Sequence, residues 1–329
     1  MAYQSPTAAS TGRRPNACWK KDTRFFDMPH KDDELNRLVH YLDGHLRASE
    51  EAQRYGRPRG RRFGRIQETS LLSTLDIMQP RAKAVRRASL EEAVPGYVVR
   101  VPERGSAYKV ITPLKAGAEG DLLREEFAAA FASPTTPVQQ RLQSCCRATV
   151  QPDELLFLDI ETTGLGQTPL FLIGTMTWEQ ENFVVRQFLA REFREEAAVL
   201  QLFLDMAAEK RLLITFNGKS FDLPMVYQRA EKNSVPCALH SHHFDLLHES
   251  RRAWRDQLPN CQLQTLEQHI CGHPPRSGDI PSELIPAAYK KFMTNGNAIE
   301  LVQIMSHNLR DLLTMAELLL KLPSVEEAS

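Results

Sequence analysis

The 329-residue sequence predicts an α/β protein in which a mixed β-sheet is flanked by helices. Three β-rich runs come first, at 155–160, 169–178 and 182–190. A helical run at 195–210 then leads to another apolar run at 211–216. The short break between the second and third runs predicts an antiparallel hairpin, and a strand reached through a crossover helix can pair in parallel. Both kinds of pairing are therefore expected in one sheet.

The first part of the chain, residues 1–89, is predicted to be a basic, mostly flexible and largely disordered or accessory region. Apolar residues at helical spacing between 32 and 53 predict one amphipathic helix, which offers a docking surface for a protein partner. The segment RYGRPRGRRFGR at 54–65 interleaves arginine with glycine and aromatic residues, as flexible nucleic-acid-binding arms do. A solvated basic linker fits the same pattern equally well.

Residues 90–149 are predicted to form a small accessory segment. GYVVRV and SAYKVI are β-rich runs separated by PERGS, which predicts a hairpin laid against the main domain. A helical run around LLREEFAAAFA follows, then the SPTTP break and a polar connector. The main domain is predicted over 150–322, with a helix at 221–232, a mainly helical part from 245 to 320, and a tail at 323–329.

Composition limits the class of protein. The 41 Lys and Arg residues balance the 41 Asp and Glu residues, so any affinity for nucleic acid has to come from local clusters of charge. Six cysteines in a chain of this length do not form a disulfide-framework pattern. No run approaches the ~20 apolar residues of a membrane span, and no signal-peptide core is present. We expect a reduced, cytoplasmic protein that does not bind membranes, of unspecified oligomeric state.

The stretch LLFLDIETTGL places two carboxylates at the end of a buried strand. Asp159 and Glu161 are two residues apart, so their side chains project from the same face. Two neighbouring buried carboxylates are costly unless a cation joins them, and a hard divalent ion such as Mg²⁺ suits carboxylate oxygens. From this stretch alone, an edge strand that ends in a solvated acidic turn is an equal alternative.

Two further segments supply carboxylates. In TFNGKSFDLP, Asp222 follows a strand and starts a helix, where it either caps the helix or binds a cation. In SHNLRDLLTM, His307 and Asp311 are four residues apart and share one helical face. Asn217 is positioned to order the turn before Asp222, and Lys219 to contact a phosphate.

The segment HFDLLHESRRAW contributes supporting residues. Asp245 is predicted to be a helix N-cap or to support the metal ligands from behind, in preference to binding a metal itself. For the three arginines that follow it, facing the substrate backbone and facing solvent are equally good interpretations. These are Arg251, Arg252 and Arg255.

The order D-x-E, then N-x-x-x-F-D, then H-x-x-x-D resembles the DEDD 3′–5′ exonucleases of the ribonuclease H-like fold. The segments that carry the resemblance are FLDIETTGL, FNGKSFDLP and HNLRD. With FLIG, HFDLLHESRRAW and the C-x-L-x-T-L-E segment at 261–267, the chain is similar to the bacterial YprB-like branch. The resemblance covers about 150 to 320.

The resemblance implies a site for two divalent metal ions, Mg²⁺ or Mn²⁺. Asp159 would bridge both ions, Glu161 and Asp311 would hold the ion that activates water, and Asp222 would hold the other. His307 would be the general base. Histidine-type members usually have four residues between this His and Asp, whereas this chain has three, the spacing of the tyrosine-type members. On a helix that difference turns the side chain by about 100°.

We therefore predict a metal-dependent 3′–5′ exonuclease that hydrolyses phosphodiester bonds of single-stranded DNA or RNA. Its expected substrate-binding residues are Thr162, Asn217 and Lys219. One alternative is a structure-selective endonuclease that uses the same site. Another is a nucleic-acid-binding adaptor on an inactive nuclease scaffold, although the presence of all four acids favours an active enzyme.

Overall fold

A computed structural model of the chain describes residues 87–239 and 241–324, and one seven-stranded sheet runs through them. Its strands are β1 (Tyr97–Val101), β2 (Gly105–Pro113), β3 (Leu155–Thr162), β4 (Leu170–Glu179), β5 (Asn182–Leu189), β6 (Leu212–Thr215) and β7 (His242–Asp245). Across the sheet the order is β1-β2-β5-β4-β3-β6-β7. The β3–β6 and β6–β7 pairs are parallel and the others antiparallel. The predicted mixed α/β sheet is confirmed.

Nine α-helices accompany this sheet within the described residues. They are α1 (Leu90–Ala93), α2 (Ala118–Phe131), α3 (Pro137–Cys146), α4 (Glu196–Ala208), α5 (Asp222–Lys232), α6 (Leu246–Trp254), α7 (Leu263–His269), α8 (Ile285–Asn295) and α9 (Ile299–Lys321). No helix in this part of the chain is both long and apolar enough to cross a bilayer. The amphipathic helix at 32–53 and the basic arm at 54–65 lie outside the described residues.

The β4–β5 hairpin and the crossover follow the sequence prediction. Gln180 and Glu181 form a two-residue turn, and both have positive φ angles, 50° and 59°, as turns matched to the twist of a hairpin require. Helix α4 then carries the chain to β6, which pairs in parallel with β3. Strand β3 lies between β4 and β6 and helices pack on it, so its apolar run is buried on both faces.

The predicted accessory hairpin, β1 and β2, continues the same sheet. Strand β2 pairs with β5 from Tyr108↔Leu189 to Pro113↔Val184, and its inward residues belong to the common hydrophobic core. The hairpin is therefore present as expected, and it lies at the β5 side of the main sheet. The domain boundary near Val150 stays a prediction.

Two elements differ from the sequence prediction. The segment predicted as a polar connector is helix α3, because Thr136 accepts a hydrogen bond from the Gln139 N–H and Pro137 occupies the first turn. Its buried residues Val138, Leu142 and Cys146 recur every four positions, a weak signal among polar neighbours. Strand β7 was not predicted, because it is only four residues long and depends on pairing with β6.

The topology brings polar residues to one edge of the sheet. The carboxyl ends of the parallel strands β3, β6 and β7 meet there, and ligand sites of α/β sheets form at such edges. Asp159 and Glu161 lie on β3, Asn217 follows β6, and Asp245 ends β7. Helix α9 packs on β3, β4 and β5 and brings its own polar residues to the same region.

Candidate functional site

Asp159 and Glu161 project from the same face of β3. Both side chains are partly exposed, whereas Ile160 between them is buried. In the register with β4, Asp159 lies opposite Gly174 and Glu161 opposite Leu172. The register shifts directly after Glu161, and irregularities of this kind re-aim side chains near functional sites.

Asp222 begins α5 and lies against β3. It is 5% exposed, and the backbone N–H groups of Asp222 and Ile160 contact its carboxylate and lower its pKa. Burial outweighs these contacts and raises the pKa of Asp222 to about 7. The Ile160 contact shows that Asp222, 62 positions further along the chain, reaches the segment between Asp159 and Glu161.

The turn that delivers Asp222 is held by Asp245. The Asp245 carboxylate accepts hydrogen bonds from the backbone N–H groups of Asn217 (2.8 Å) and Lys219 (2.9 Å). It also accepts one from the N–H of Leu247, so its predicted role as a helix N-cap is confirmed. Asn217 has a φ of 65°, a conformation that asparagine tolerates better than most residues.

The four predicted acids influence one another electrostatically. The pKa of Asp159 lies well above its ordinary value because protein atoms surround the carboxyl group and because Asp311, Glu161 and Asp222 lie nearby. Burial likewise raises the pKa of Glu161 to about 8; His307 opposes the rise, while the charges of Asp311 and Asp222 add to it. Four residues from three distant segments therefore form one acidic cluster.

Asp311 differs from the other three acids because cationic groups contact it. Nη2 of the buried Arg276 lies 2.6 Å from Asp311 Oδ1 as an ion pair, although the angle is not that of a hydrogen bond. The same guanidinium contacts Glu267 and Asp279. Nε2 of His307 lies 3.5 Å from the other oxygen of Asp311.

His307 is held between two carboxylates. Its Nδ1 lies 3.0 and 3.1 Å from the two oxygens of Asp279. Burial lowers the pKa of His307, but the charge of Asp311, the hydrogen bond that the ring donates to Asp279 and the charge of Glu161 outweigh it and raise the pKa to about 9. In this arrangement the ring is an imidazolium at neutral pH, whereas a general base has to be neutral.

The predicted substrate-binding residues have different environments. Asn217 and Lys219 are exposed beside the acids, whereas Thr162 is buried and its hydroxyl donates to the carbonyl of Gly164. Leu165, in the loop after β3, is 87% exposed. Next to the Asn217 turn is a cavity of about 410 Å³, whose lining includes Phe216, Asn217, Leu247, Arg251, Asn260 and Gln262.

Four residues of the site were not predicted from the sequence: Arg276, Asp279, Asn308 and Gly174. Arg276 and Asp279 lie in a loop without hydrophobic periodicity, and nothing in the sequence connects them to α9. Asn308 donates from Nδ2 to the backbone oxygen and to Oδ2 of Asp159, and Gly174 lies beneath it. Asn308 directly follows His307, so its place in the HNLRD segment was the one available signal.

The donor set suits a hard divalent cation, since its members are carboxylate oxygens that repel one another in a largely buried place. Within residues 87–239 and 241–324, no three His, Cys, Asp or Glu side chains converge closely enough to form a ready-made site for one ion. Mg²⁺ is commonly held by one or two carboxylates, with water and substrate phosphate completing its shell. The acidic cluster is compatible with that mode of binding.

A mixed sheet with this strand order and this acidic cluster defines the ribonuclease H-like class of nucleases. The chain belongs to the RNase_H superfamily, because the RNase_H_2 family model matches residues 156–322, just over half of its length. All four acids and His307 lie inside the matched region.

Two individual proteins are similar to part of the chain. Over 171 residues, the chain is 33% identical to the uncharacterized protein YprB of Bacillus subtilis (strain 168). The match covers 50% of this chain and 41% of that relative, so the chain spans less than half of the relative's length. A family B DNA polymerase from the archaeon Pyrobaculum calidifontis matches with 18% identity and a TM-score of 0.39, over 49% of this chain and 23% of the polymerase.

Proposed function

We propose that the protein is a metal-dependent nuclease that removes nucleotides from the 3′ end of single-stranded DNA or RNA. The observation that carries the proposal is the acidic cluster formed by Asp159, Glu161, Asp222 and Asp311. In the described part of the chain, no Lys, Arg or His side chain forms an ion pair with the first three. Buried carboxylates in that condition favour an external cation.

The residues that would hold two divalent ions follow from the arrangement of the cluster. Asp159 would contribute to both ions, Glu161 and Asp311 to one, and Asp222 to the other. When bound, such ions stabilise the attacking and the leaving oxygen of a phosphodiester. The chain itself supplies the fixed positions: β3 holds two of the acids, and the Asp245 contacts hold the turn that delivers Asp222.

We assign proton transfer to His307. Its Nδ1 is held by Asp279, which leaves Nε2 directed to the acidic cluster, 3.5 Å from Asp311. The three-residue spacing between His307 and Asp311 places both on the same face of α9, so the imidazole lies beside the acids despite the departure from the usual spacing. As general base, His307 would act in its neutral form, which requires the surrounding carboxylates to be neutralised first.

The surface next to the acids supports a nucleotide substrate. The cavity beside Asn217 combines an aromatic ring, amide groups and the guanidinium of Arg251, the groups that stack on bases and contact phosphates. Of the three arginines on or directly after α6, Arg251 lines this cavity. Arg252 pairs with Glu249, and Arg255 is exposed.

The decisive experiment uses 5′-labelled single-stranded DNA and RNA with Mg²⁺, Mn²⁺ or EDTA. A 3′–5′ exonuclease gives a ladder that shortens from the 3′ end, and a circular single strand stays intact. The matched variants are Asp159→Ala and Asp205→Ala, since Asp205 is an exposed acid on α4. We expect loss of cleavage in the first and full cleavage in the second.

Three results would contradict parts of this proposal. Undiminished cleavage by the Asp159→Ala variant would remove the site assignment. Cutting of the circular strand would favour the structure-selective endonuclease. Binding of the strand without any metal-dependent cleavage would favour a nucleic-acid-binding adaptor.

A further inference from the structure

Three residues that lie side by side across the sheet carry an inference about Asp159. Asp159 on β3 is the register partner of Gly174 on β4, and Gly174 is the register partner of Gln187 on β5. Directly opposed residues of antiparallel strands project from the same face. An acid, a glycine and an amide therefore form a row across three strands, with no side chain at the middle position.

The missing side chain leaves a space above Gly174, between Asp159 and Gln187, which we call the amide slot. Helix α9 places the fully buried Asn308 in the amide slot. A Cβ at position 174 would lie 2.0 Å from Asn308 Oδ1, 2.5 Å from Nδ2 and 2.6 Å from Cγ. Only glycine at position 174 leaves room for the Asn308 side chain against β4.

The hydrogen bonds fix which way the Asn308 amide points. Gln187 Nε2 lies 2.8 Å from the backbone oxygen of Met305, which can only accept, so this end of the Gln187 amide is the donor. The same Nε2 lies 2.8 Å from Asn308, and the atom that it meets must therefore be Oδ1. Nδ2 of Asn308 is left to donate to the backbone oxygen (3.1 Å) and to Oδ2 (2.7 Å) of Asp159.

We propose that Asn308, seated in the amide slot and oriented by Gln187, is a positioning residue that holds the Asp159 carboxylate in the orientation that binds a divalent cation. The inference rests on the proposed function in that Asp159 is taken as a metal ligand. Oδ2 accepts the Asn308 hydrogen bond, so rotation of the carboxylate is restricted while Oδ1 stays available to an external ligand. Asn308 acts through Asp159 and has no contact with substrate in this role.

The test is calorimetric titration of Mn²⁺ into the metal-free full-length protein, without substrate. We expect Asn308→Ala to weaken Mn²⁺ binding about tenfold or more, as removal of partners that support metal ligands commonly does. Gly174→Ala should weaken it similarly, because the new methyl group displaces Asn308. The double variant, Gly174→Ala with Asn308→Ala, should bind Mn²⁺ within about twofold of Asn308→Ala alone. Both changes remove the same hydrogen bond, the one between Asn308 and Asp159.

A matched control separates positioning from general stability. Gln139 is also a fully buried amide, and it bonds the backbone of Val150 far from the acids. Gln139→Ala should lower the thermal midpoint without changing Mn²⁺ affinity. Gln187→Met keeps the size of the side chain but removes the bond that orients Asn308, and should weaken Mn²⁺ binding less than Asn308→Ala does. Gln187→Met and Gly174→Ala decide the question if Asn308→Ala does not fold.

The outcomes distinguish this inference from the proposed function. Unchanged Mn²⁺ affinity in the folded variants, or an equal loss in Gln139→Ala, overturns the positioning role, while metal-dependent cleavage by the wild-type protein would still stand. Additive losses in the double variant also overturn it, because the amide slot would then not be the shared cause. Absence of Mn²⁺ binding by the wild-type protein overturns both proposals together.

Discussion

The two sides of the acidic cluster differ in how their charge is balanced. On the β3 side, Asp159, Glu161 and Asp222 have raised pKa values and form no ion pair within the described residues. On the α9 side, Asp311 lies against Arg276 and His307. Burial, with mutual repulsion added to it, therefore disfavours the ionised acids on one side, whereas the other side has cationic partners supplied by the protein itself.

This difference indicates what each side contributes. The β3 side is arranged at a cost in stability, which an external cation would remove. The α9 side keeps the approach of helix and sheet favourable even without such a cation, because Arg276 and His307 offset its carboxylates. The protein can thus fold around a strongly acidic site before that site is filled.

The largest effects are expected from removing one acid on each side. Glu161→Gln and Asp311→Asn should each lower cleavage by about 10²–10³-fold or more, as loss of a group that stabilises transition-state charge does. Their effects on the metal-free protein should be opposite. Glu161→Gln should raise the free energy of unfolding because an uncharged amide avoids both the burial of a charge and the repulsion of neighbouring acids. Asp311→Asn should lower it because Arg276 loses a partner. Urea denaturation in EDTA measures both, and equal signs would contradict the comparison.

Removing the cationic partner should be the most damaging change for folding. Arg276→Met leaves three carboxylates around an uncharged side chain, and loss of one member of a buried charge cluster costs about 3–5 kcal/mol. Mn²⁺ should restore more stability to this variant than to the wild-type protein. Arg255→Met, at an exposed position directly after α6, is the control and should change the unfolding midpoint little. A midpoint for Arg276→Met equal to that of the control would show that the pairs are dispensable.

The pH dependence of stability tests both sides at once. Glu161 and Asp222 have folded-state pKa values of about 8 and about 7, above those of the unfolded chain, so ionising them costs stability as the pH rises. His307 has a folded-state pKa of about 9, also raised, so its stabilisation is complete below the unfolded pKa of about 6.5 and is lost as the pH rises through 9.

Both contributions have the same sign. The thermal midpoint of the metal-free protein should therefore decrease as the pH is raised from 5 to 9, the interval set by these pKa values. Saturating Mn²⁺ should flatten the profile by neutralising the acids. Thermal unfolding followed by circular dichroism in EDTA and in Mn²⁺ provides the measurement. A midpoint in EDTA that rises over this interval would contradict the charge assignment of the site.

The smallest effect is expected at the rim of the site. Lys219 is exposed and belongs to the turn that delivers Asp222. Lys219→Ala should reduce the slope of log affinity against log salt for a single strand by about 0.7, the value of one lost phosphate contact. Fluorescence anisotropy with the Asp159→Ala protein avoids cleavage. Lys232→Ala, at the exposed far end of α5, should leave the slope unchanged, and equal slopes for the two variants would remove Lys219 from the interface.

The sequence was sufficient for the β3 side and insufficient for the α9 side. Asp159 and Glu161 lie on one apolar strand, and Asp222 begins the helix that follows the next parallel strand. Strand periodicity and a crossover connection bring such positions to one sheet edge. Arg276 and Asp279 reach the site from an irregular loop, where neither periodicity nor spacing relates them to α9. Gly174 looks like a weakness inside an apolar strand until Asn308, 134 residues further on, is seen to occupy the space.

The two elements that differ from the sequence prediction have only weak signals of their own. Helix α3 depends on a Thr136 cap and three buried apolar residues among polar ones, so its apolar pattern is faint. Strand β7 consists of HHFD and exists because β6 offers a parallel partner. In both cases the tertiary contact, and not the segment's own propensity, determines the structure.

Strand β3 pairs antiparallel with β4 and parallel with β6, and this arrangement determines where the molecule tolerates added residues. Strand β4 runs against β3, so the two-residue turn at Gln180 and Glu181 lies at the end of the sheet opposite to Asp159 and Glu161. Lengthening that turn would add chain far from the acids. An insertion between β3 and β4, or between β6 and α5, would instead fall at the opening itself. A fluorescent or affinity tag inserted at 180–181 would therefore leave the approach to the acids clear.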